Sequence, residues 1–374
     1  MRIASFNVEN MFRRPKALNP ATYEQNRPIL EAYARLQNLL EKATYSDTDK
    51  TRIVELLEIL GLKRSDASEW VILRRSRGQL VARKRDGSVT VTAGGRAEWI
   101  GWLELKREAV DEVATRNTAR VIAGLGADVL AVIEAEDRPA LDRFNRDVLA
   151  TGFDDDRQAW RYRHVMLIDG NDDRGIDVGL MTRQAWPIAQ MRSHVDDLTD
   201  DSEAVFSRDC PEYELDGPAG ARLLVLANHF KSKGYGKPAI SNARRTQQAQ
   251  RVADIYRARR AEGTELIAVV GDLNDTPDSE PLAPLLHATD LKDISEHDSY
   301  TDDGRTGTYA TGRDKIDYLL LSPALFARAR AGGVDRSGVW RGPRVKNPWP
   351  MLDTITKPEQ AASDHAAIWA DIDL

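Results

Sequence analysis

The stretch Leu266–Asp275, LIAVVGDLND, decides the fold of this chain. Its apolar residues are rich in β-branched types and run directly into Gly271, which predicts a buried strand. A buried strand can present a carboxylate only where the chain leaves the sheet. Asp272 and Asn274 follow at that point and, on an extended backbone, are expected to point to the same side. Their carboxylate and amide are one half of a predicted site for a hard cation or a phosphate.

Composition limits the class of protein. The chain has 374 residues, of which 41% are hydrophobic, and this is compatible with one large α/β domain over residues 1–374 that carries an insertion. The net charge of −6 excludes a polybasic nucleic-acid binder, although acidic residues at a metal site can mask a basic surface around it. The single cysteine, Cys210, excludes an internal disulfide and a cysteine zinc cluster.

No apolar run approaches the length of a membrane span, so we expect no membrane insertion. The N-terminal sequence MRIASFNVEN has no charged-then-apolar leader. These features favour a soluble cytoplasmic protein, with secretion after removal of a signal peptide as the alternative. The sequence does not identify a protein partner.

Residues 13–108 are predicted to form an insertion of helices and a β-hairpin. Apolar residues recur at helical spacing in Pro28–Ala43 and Thr51–Leu60. Short strands are predicted at Trp70–Leu73, Gln79–Lys84 and Ser88–Thr92, with Asp86-Gly87 as a hairpin turn.

The insertion is basic, with 19 Lys/Arg and 13 Asp/Glu, although the whole chain is acidic. Six of its cations are predicted to cluster on the hairpin: Arg74, Arg75, Arg77, Arg83, Lys84 and Arg85. One interpretation is a solvated edge, since charged edges deter strand pairing. The other is a basic wing that holds a polyanion by its phosphates. The sequence leaves both open.

Polar side chains stand at the margins of several other predicted strands. In chain order they are Asn7 after Ile3–Phe6, Glu134 after Asp128–Ile133, His229 after Arg222–Ala227, Asp317 near the start of Lys315–Ser322, and Asp364 and His365 before Ala366–Ile372. Strands of a packed α/β domain bring such margins together at one end of a sheet. These residues are therefore candidates for one site.

Other polar residues have weaker signals. Lys231 and Ser232 follow His229 and are good phosphate partners, and Arg174 is either a loop residue or a contact to an anionic substrate. Two further interpretations are structural. Glu136 is expected to cap the helix that begins at Arg138, and Arg245, near the start of an amphipathic helix, is expected to be solvated.

The residue types predict the chemistry. Carboxylates and amides with few histidines suit Mg²⁺ or Mn²⁺, which prefer oxygen ligands. Zinc is disfavoured because no pair of histidines has ligand spacing. The histidines are then available for proton transfer and for stabilising charge. This combination is typical of metal-assisted hydrolysis of a phosphate ester.

Six segments, SFNVEN, VIEAED, NHFKSKG, GDLND, KIDYLLLS and SDH, occur in an order that resembles the endonuclease/exonuclease/phosphatase superfamily. This group contains DNase I, exonuclease III-type abasic-site endonucleases, inositol polyphosphate 5-phosphatases and neutral sphingomyelinases. The resemblance covers residues 1–12 and about 110–374, but not the insertion. It implies a four-layered α/β sandwich, two packed mixed β-sheets flanked by helices, and hydrolysis by a metal-activated water.

The resemblance also implies roles for the matched residues. Asn7 and Glu134 would bind the divalent metal or position the phosphate, and Asp364 would help to hold a metal. His229 would contact the scissile phosphate. One position departs from the family, because Ile133 stands where a glutamine is common before the metal-binding glutamate.

The resemblance implies roles in activating the attacking water, contacting the phosphate and transferring a proton for the remaining matched residues. Asp272 would align or deprotonate the attacking water, and Asn274 would contact phosphate oxygens. His365 would stabilise the transition state or move a proton, with Asp317 orienting its imidazole.

The predicted function is a Mg²⁺-dependent nuclease that cleaves DNA or RNA. One alternative is a phosphatase or phosphodiesterase for a small molecule or a lipid headgroup, with the same chemistry in a smaller pocket. Another is a binding module on a catalytically inactive scaffold, which is disfavoured because all the expected acid, amide and histidine positions are filled.

Overall fold

The computed structural model describes residues 1–19, 23–151, 160–172, 174–233, 238–343 and 348–374. Gly234, the last residue of the NHFKSKG segment, lies outside these residues. The chain divides into a larger compact unit, formed by Met1–Phe12, Val110–Lys233 and Ala239–Leu374, and a smaller one that contains Arg13–Ala109.

The strands, numbered in chain order, are β1 (Arg2–Asn7), β2 (Arg13–Pro15), β3 (Val71–Arg77), β4 (Val81–Arg83), β5 (Val89–Val91), β6 (Ile100–Leu105), β7 (Arg107–Ala109), β8 (Val129–Ala135), β9 (His164–Leu167), β10 (Asp177–Thr182), β11 (Ile188–Arg192), β12 (Glu212–Asp216), β13 (Arg222–His229), β14 (Ile267–Asp272), β15 (Lys292–Asp293), β16 (Tyr300–Thr301), β17 (Asp317–Leu321), β18 (Ala329–Asp335) and β19 (Ala367–Ile372). The α-helices are α1 (Tyr23–Leu40), α2 (Asp47–Ile59), α3 (Glu112–Leu125), α4 (Arg138–Arg143), α5 (Pro238–Ala261), α6 (Ala283–Leu286) and α7 (Pro323–Phe326). No helix among the described residues is both long and apolar enough to span a bilayer.

The larger unit contains two mixed sheets. The seven-stranded sheet has the order β16-β18-β19-β1-β8-β10-β9, and the six-stranded sheet has the order β11-β12-β13-β14-β17-β15. In the first sheet β1 is parallel to β8 and antiparallel to β19. In the second sheet β14 is parallel to β13 and antiparallel to β17.

Three apolar layers hold these sheets and helices together. Between the sheets, residues such as Ile3 and Val178 of the first meet Val225 and Val270 of the second. The outer face of the first sheet packs on α3, and the outer face of the second sheet packs on α5. The predicted sandwich of two packed mixed sheets flanked by helices is confirmed.

Helix α3 shows how local sequence sets an element's ends. The Asp111 side chain accepts a hydrogen bond from the Val113 N–H, and Gly126 ends the helix at φ 59°. Apolar residues at helical spacing over Arg107–Leu125, followed by Gly126, predict a helix from Arg107, and its predicted end is correct. The predicted start at Arg107 is wrong, because Arg107–Ala109 forms strand β7, which pairs with β2.

The central strand β14 requires a glycine near its end. Gly271 has φ +129°, and a Cβ atom there would lie 2.0 Å from the main-chain oxygen of Asn228 on β13. Parallel pairing of β13 and β14 sets this close approach. Gly271 therefore fixes how the chain enters Asp272.

We predict that Gly271→Ala is strongly destabilising, because it combines a disfavoured φ with a main-chain clash. The expected loss is about 3 kcal/mol or more in the free energy of unfolding. Urea unfolding would measure it. Gly263→Ala is the control, since it has φ +94° but an open surrounding space. Equal effects of the two substitutions would contradict the clash.

The smaller unit has its own apolar core, in which α1 and α2 pack against short two-stranded sheets. Helix α2 begins with a capping box in which Ser46 and Asp49 exchange hydrogen bonds between side chain and main chain. The hairpin turn is also present, since the Gly87 N–H donates to the Lys84 carbonyl.

The prediction that six cations share one hairpin is wrong. Arg74, Arg75 and Arg77 belong to β3, which pairs with β6 rather than with the β4–β5 hairpin. The physical reason is that β6 alternates buried and exposed residues over six positions and offers β3 a longer apolar partner. Only the remaining three cations lie on or beside the hairpin, and Arg83 forms an ion pair with Asp66 at 2.8 Å.

A buried histidine joins the loop after β11 to β12 in the larger unit. The His194 Nδ1 lies 2.9 Å from the Asp197 Oδ2, and its Nε2 lies 2.9 Å from the Glu212 Oε1. Arg251 and Arg259 of α5 bind the same two carboxylates. Only an imidazolium can donate from both ring nitrogens. Burial lowers the pKa of His194, but the two carboxylates outweigh it and raise the pKa above its usual value.

We predict that this cluster makes stability depend on pH. Because the folded-state pKa of His194 is raised, the folded state binds more protons than the unfolded state. The stabilisation is therefore complete below the unfolded pKa of about 6.5 and is lost as pH rises through the folded pKa. Thermal unfolding of the wild type and His194→Gln across this range would test it. The variant should lose most stability at low pH, and parallel curves would contradict the prediction.

Candidate active site

Three candidate residues lie side by side on the six-stranded sheet. The register pairs His229 of β13 with Asp272 of β14, and Asp272 with Asp317 of β17. All three are buried, with at most 3% of their surface exposed. Neighbouring strands thus bring together residues that are distant in the sequence. His229 and Asp317, for example, are 88 positions apart.

The seven-stranded sheet supplies the other residues. Asn7 ends β1 and pairs with Ile133, so that Glu134 follows at the same end of the sheet, and His365 lies two residues before the closing strand β19. The Asn7 Nδ2 lies 3.3 Å from the Asp272 Oδ2 and 3.5 Å from the His365 Nε2. The margins of both sheets therefore form one site.

Asp272 lies at its centre and is held by several donors. The Asn274 N–H donates to its Oδ1 at 2.8 Å, and the Asn274 and Asn7 amides donate to its Oδ2 at 3.1 and 3.3 Å. Burial is the main reason that the pKa of Asp272 rises to about 8; Asp317 and Glu134 raise it further, and His365 opposes them. The carboxylate is fixed in position and short of compensating positive charge.

His365 and Asp317 form a buried pair. The His365 Nδ1 lies 2.8 Å from the Asp317 Oδ2. Burial lowers the pKa of His365, but Asp317 and Asp364 outweigh it, so the pKa lies well above its usual value. The imidazolium directs its Nε2 towards Asp272 and Asp364, with the nearest oxygens at 3.9 and 3.8 Å.

His229 is in the opposite protonation state. Its Nε2 lies 3.5 Å from the Glu134 Oε1 and 3.6 Å from the Asp272 Oδ2. Burial, and then the charges of Arg208 and Arg174, lower the pKa of His229 well below its usual value. The site thus contains one neutral and one cationic histidine, an arrangement that suits divided acid and base roles.

Two candidate residues have strained backbones. Glu134 has φ 67° and Asn274 has φ 55°, in the left-handed region that non-glycine residues rarely adopt. The expectation of an extended backbone at Asn274 is therefore wrong. The left-handed turn nevertheless brings its amide onto Asp272, and its Nδ2 also donates to the Phe230 carbonyl at 3.1 Å. Such strain is concentrated at functional sites.

The candidate substrate residues lie in a basic region of the same unit. Arg174 donates twice to Asp172, from Nε at 2.8 Å and from Nη2 at 2.6 Å. Burial, and then Arg174 and Arg208, lower the pKa of Lys231 to about 8. Ser232 follows it and is half-buried. Asp364 is 40% exposed at its side chain and is the most accessible acid of the site.

Arg208 was missed by the sequence analysis. Only 1% of its surface is exposed, its Nε lies 3.2 Å from the Asp172 Oδ2, and its Nη1 donates to the Phe230 carbonyl that also accepts from Asn274. Its charge acts on His229, Glu134 and Asp272. Arg208 is one of 53 lysines and arginines in the chain, and no sequence pattern marks it as a site residue.

Two structural interpretations need correction. Glu136 does not cap α4; its carboxylate accepts from the Met11 and Phe12 N–H groups, and Asp137 is the cap. Arg245 is not solvated but fully buried, with its Nε 3.0 Å from the Asp275 Oδ2. In both cases the side chain forms a tertiary contact. The sequence predicted a local helix cap for Glu136 and a solvated side chain for Arg245.

A family model described as the Endonuclease/Exonuclease/phosphatase family matches residues 109–365. The chain belongs to this family. Members of the Endonuclease/Exonuclease/phosphatase family are phosphoester hydrolases, so hydrolysis of a phosphoester is the reaction class of this chain. No curated protein matches the chain.

Several solved structures are similar to the chain. A mannosyl-6-phosphatase from Bacteroides thetaiotaomicron is 13% identical, with 70% of this chain and 92% of that chain covered at a TM-score of 0.48. Truncated TDP2 from Caenorhabditis elegans is 18% identical, with coverage of 69% and 90% and a TM-score of 0.46. The beta toxin of Staphylococcus aureus is 16% identical, with coverage of 71% and 94% and a TM-score of 0.47.

Members of the Endonuclease/Exonuclease/phosphatase family use divalent metals, and the residues here fit one. Oxygens of Asp272 and Asp317 and a ring nitrogen of His365 lie within 4.8 Å of one another, so two carboxylates share one cationic imidazole, whose charge also acts on Glu134. Burial raises the pKa of Glu134 as well as that of Asp272. A divalent cation would offset this excess of buried negative charge.

We predict that Asp317→Asn lowers kcat about 100-fold or more with little change in KM, because the amide no longer orients and charges the His365 imidazole. Steady-state hydrolysis of bis-p-nitrophenyl phosphate would measure both constants. Asp371→Asn is the matched control, since this aspartate is ion-paired with Arg2 at the opposite end of the first sheet. A change in KM alone would contradict the orienting role.

Proposed function

We propose that this protein is a Mg²⁺- or Mn²⁺-dependent nuclease that hydrolyses phosphodiester bonds of DNA or RNA. The observation that carries the choice of substrate is the segregation of charge. Residues 13–108 contain 19 Lys/Arg and 13 Asp/Glu, whereas the whole chain has a net charge of −6. Concentrating positive charge in one compact unit favours a polyanion over a small phosphoester.

The chemistry of the donors favours a hard cation. Asn7, Glu134 and Asp364 would hold the metal with oxygen ligands, the type that Mg²⁺ and Mn²⁺ prefer. The charge of Asp364 acts on Glu134, and the Asn7 side chain is hydrogen-bonded to Glu134. The three residues therefore lie close together. When bound, such a metal polarises the phosphoryl group and lowers the pKa of water.

Asp272 is the residue that we assign to the attacking water. Its carboxylate is immobilised by the Asn274 main chain and by two amides, so it can orient a water and accept its proton without rearranging. Asn274 uses its amide hydrogens inside the protein, which favours a role in positioning Asp272 over a contact to phosphate oxygens.

The two histidines are assigned to the phosphate. His365 would donate a hydrogen bond from Nε2 to a phosphoryl oxygen as negative charge develops, with Asp317 fixing the ring. Neutral His229 would contact the scissile phosphate from the other side. Arg174, Lys231 and Ser232, in the basic region beside them, would bind further phosphate oxygens of the substrate.

The test is metal-dependent cleavage of plasmid, linear duplex DNA, single-stranded DNA and RNA. The wild type should cut at least one of them with Mg²⁺ or Mn²⁺ and lose activity with a chelator. Asp272→Asn and His365→Ala should each lower kcat about 100-fold or more. Cleavage products would give the endo or exo mode.

A panel of sugar phosphates, inositol phosphates and lipid headgroup phosphates is assayed in parallel by phosphate release. A folded, metal-binding protein that hydrolyses one of these but no nucleic acid would overturn the nuclease assignment and favour a small-molecule phosphatase. Turnover of neither class, with metal bound, would favour an inactive binding module.

A further inference from the structure

A tryptophan side chain is exposed to solvent on one face of the β3–β6 sheet in the smaller unit. Along β6, Gly101, Leu103 and Leu105 are buried, while Trp102 and Glu104 are exposed. Trp99, three residues earlier, is 1% exposed in the apolar core, whereas Trp102 is 46% exposed. A lone exposed apolar residue needs no explanation, so the neighbours of Trp102 decide its meaning.

Those neighbours are arginines held in place. The register sets Arg74 directly opposite Trp102 and, beyond a β-bulge, Arg77 opposite Ile100. The Arg74 Nε and Nη2 lie 2.7 and 3.3 Å from the two carboxylate oxygens of Glu104. The Arg77 Nη2 donates to the Ala97 carbonyl at 2.8 Å. Both guanidinium groups are thus held by hydrogen bonds, on a strand whose register places Arg74 opposite Trp102.

The local charge is positive. The hydrogen bond from Arg74 is the main reason that the pKa of Glu104 is lowered, and the charge of Arg107 adds to it, so Arg107 is also close. Arg74 and Arg107 therefore both act on the one carboxylate of this face, and Arg77 lies farther along β3. The rest of the insertion adds to the excess, with 19 basic and 13 acidic residues in 13–108.

An exposed aromatic ring flanked by oriented cations is the arrangement with which proteins bind single strands. Bases stack on the ring, and the cations follow the phosphates. In a duplex the bases are stacked on each other and cannot cover an indole. We propose that the Trp102 face, defined by Ile72, Arg74, Arg77, Ile100 and Trp102, binds single-stranded nucleic acid. This inference rests on the proposed nuclease function, because it names the form of the polyanion.

The test measures binding without cleavage. The full-length protein in chelator is titrated into fluorescein-labelled oligothymidylate of about 15 nucleotides, and anisotropy gives Kd. Trp102→Ala should raise Kd roughly tenfold or more, the loss expected for one stacked base, and Trp102→Phe should retain most of the affinity. Ile59→Ala is the matched control, being 47% exposed in the same unit, and should leave Kd unchanged.

Salt and strand form sharpen the result. Arg77→Gln and Arg107→Gln should each reduce the slope of log Kd against log salt by about one, as expected for a lost phosphate contact. Trp102→Ala should not change the affinity for a duplex of the same length. Equal binding of the strand by wild type and Trp102→Ala, or no binding by the wild type, would overturn the proposal.

These results separate the two proposals. If the protein cleaves nucleic acid but Trp102→Ala leaves the Kd for the single strand unchanged, the nuclease function stands and the proposed binding surface is wrong. If Trp102→Ala weakens binding of the strand but the wild type cleaves no nucleic acid with Mg²⁺ or Mn²⁺, the binding surface stands and the nuclease function is wrong. Hydrolysis of bis-p-nitrophenyl phosphate should be the same in Trp102→Ala and wild type.

Discussion

The candidate site depends on the packing of two β-sheets around an apolar layer. That layer removes water from the strand ends, so Asp272 and Asp317 are almost fully buried, and Glu134 has only 19% of its side chain exposed. Burying a carboxylate is costly unless hydrogen bonds or cations compensate. The amides of Asn7 and Asn274 and the imidazolium of His365 supply part of this compensation. The remaining negative charge favours a bound cation, and members of the family use divalent metals.

The opposed states of the two histidines follow from the same constraint. His365 is surrounded by carboxylates, and in a desolvated site their attraction outweighs the cost of burying its charge. His229 lies two strands away from Asp317 and has Arg208 and Arg174 nearby, so burial and repulsion act together to keep it neutral. Identical side chains thus obtain different chemistry from the charged neighbours that the two packed sheets place around each of them.

Much of the architecture could be predicted because it is local. The apolar run of β14 and the polar residues at its end indicate a buried strand that opens into a site, and the ordered motifs indicate the family. The left-handed turns at Glu134 and Asn274, the burial of Arg208 and the pairing of β3 with β6 could not be predicted. The burial of Arg208 and the pairing of β3 with β6 are decided by residues distant in the sequence, and periodicity contains no information about such partners.

The family membership settles the bond class but leaves the substrate to features outside the catalytic centre. Buried carboxylates, amides and histidines can act on any phosphoester that reaches them, because they contact only the phosphorus and its oxygens. Selection between a sugar phosphate and a polynucleotide must therefore come from groups that contact the rest of the molecule. In this chain we propose that the basic insertion supplies such groups, and the Trp102 indole opposite Arg74 would discriminate by base stacking, which a phosphate alone does not offer.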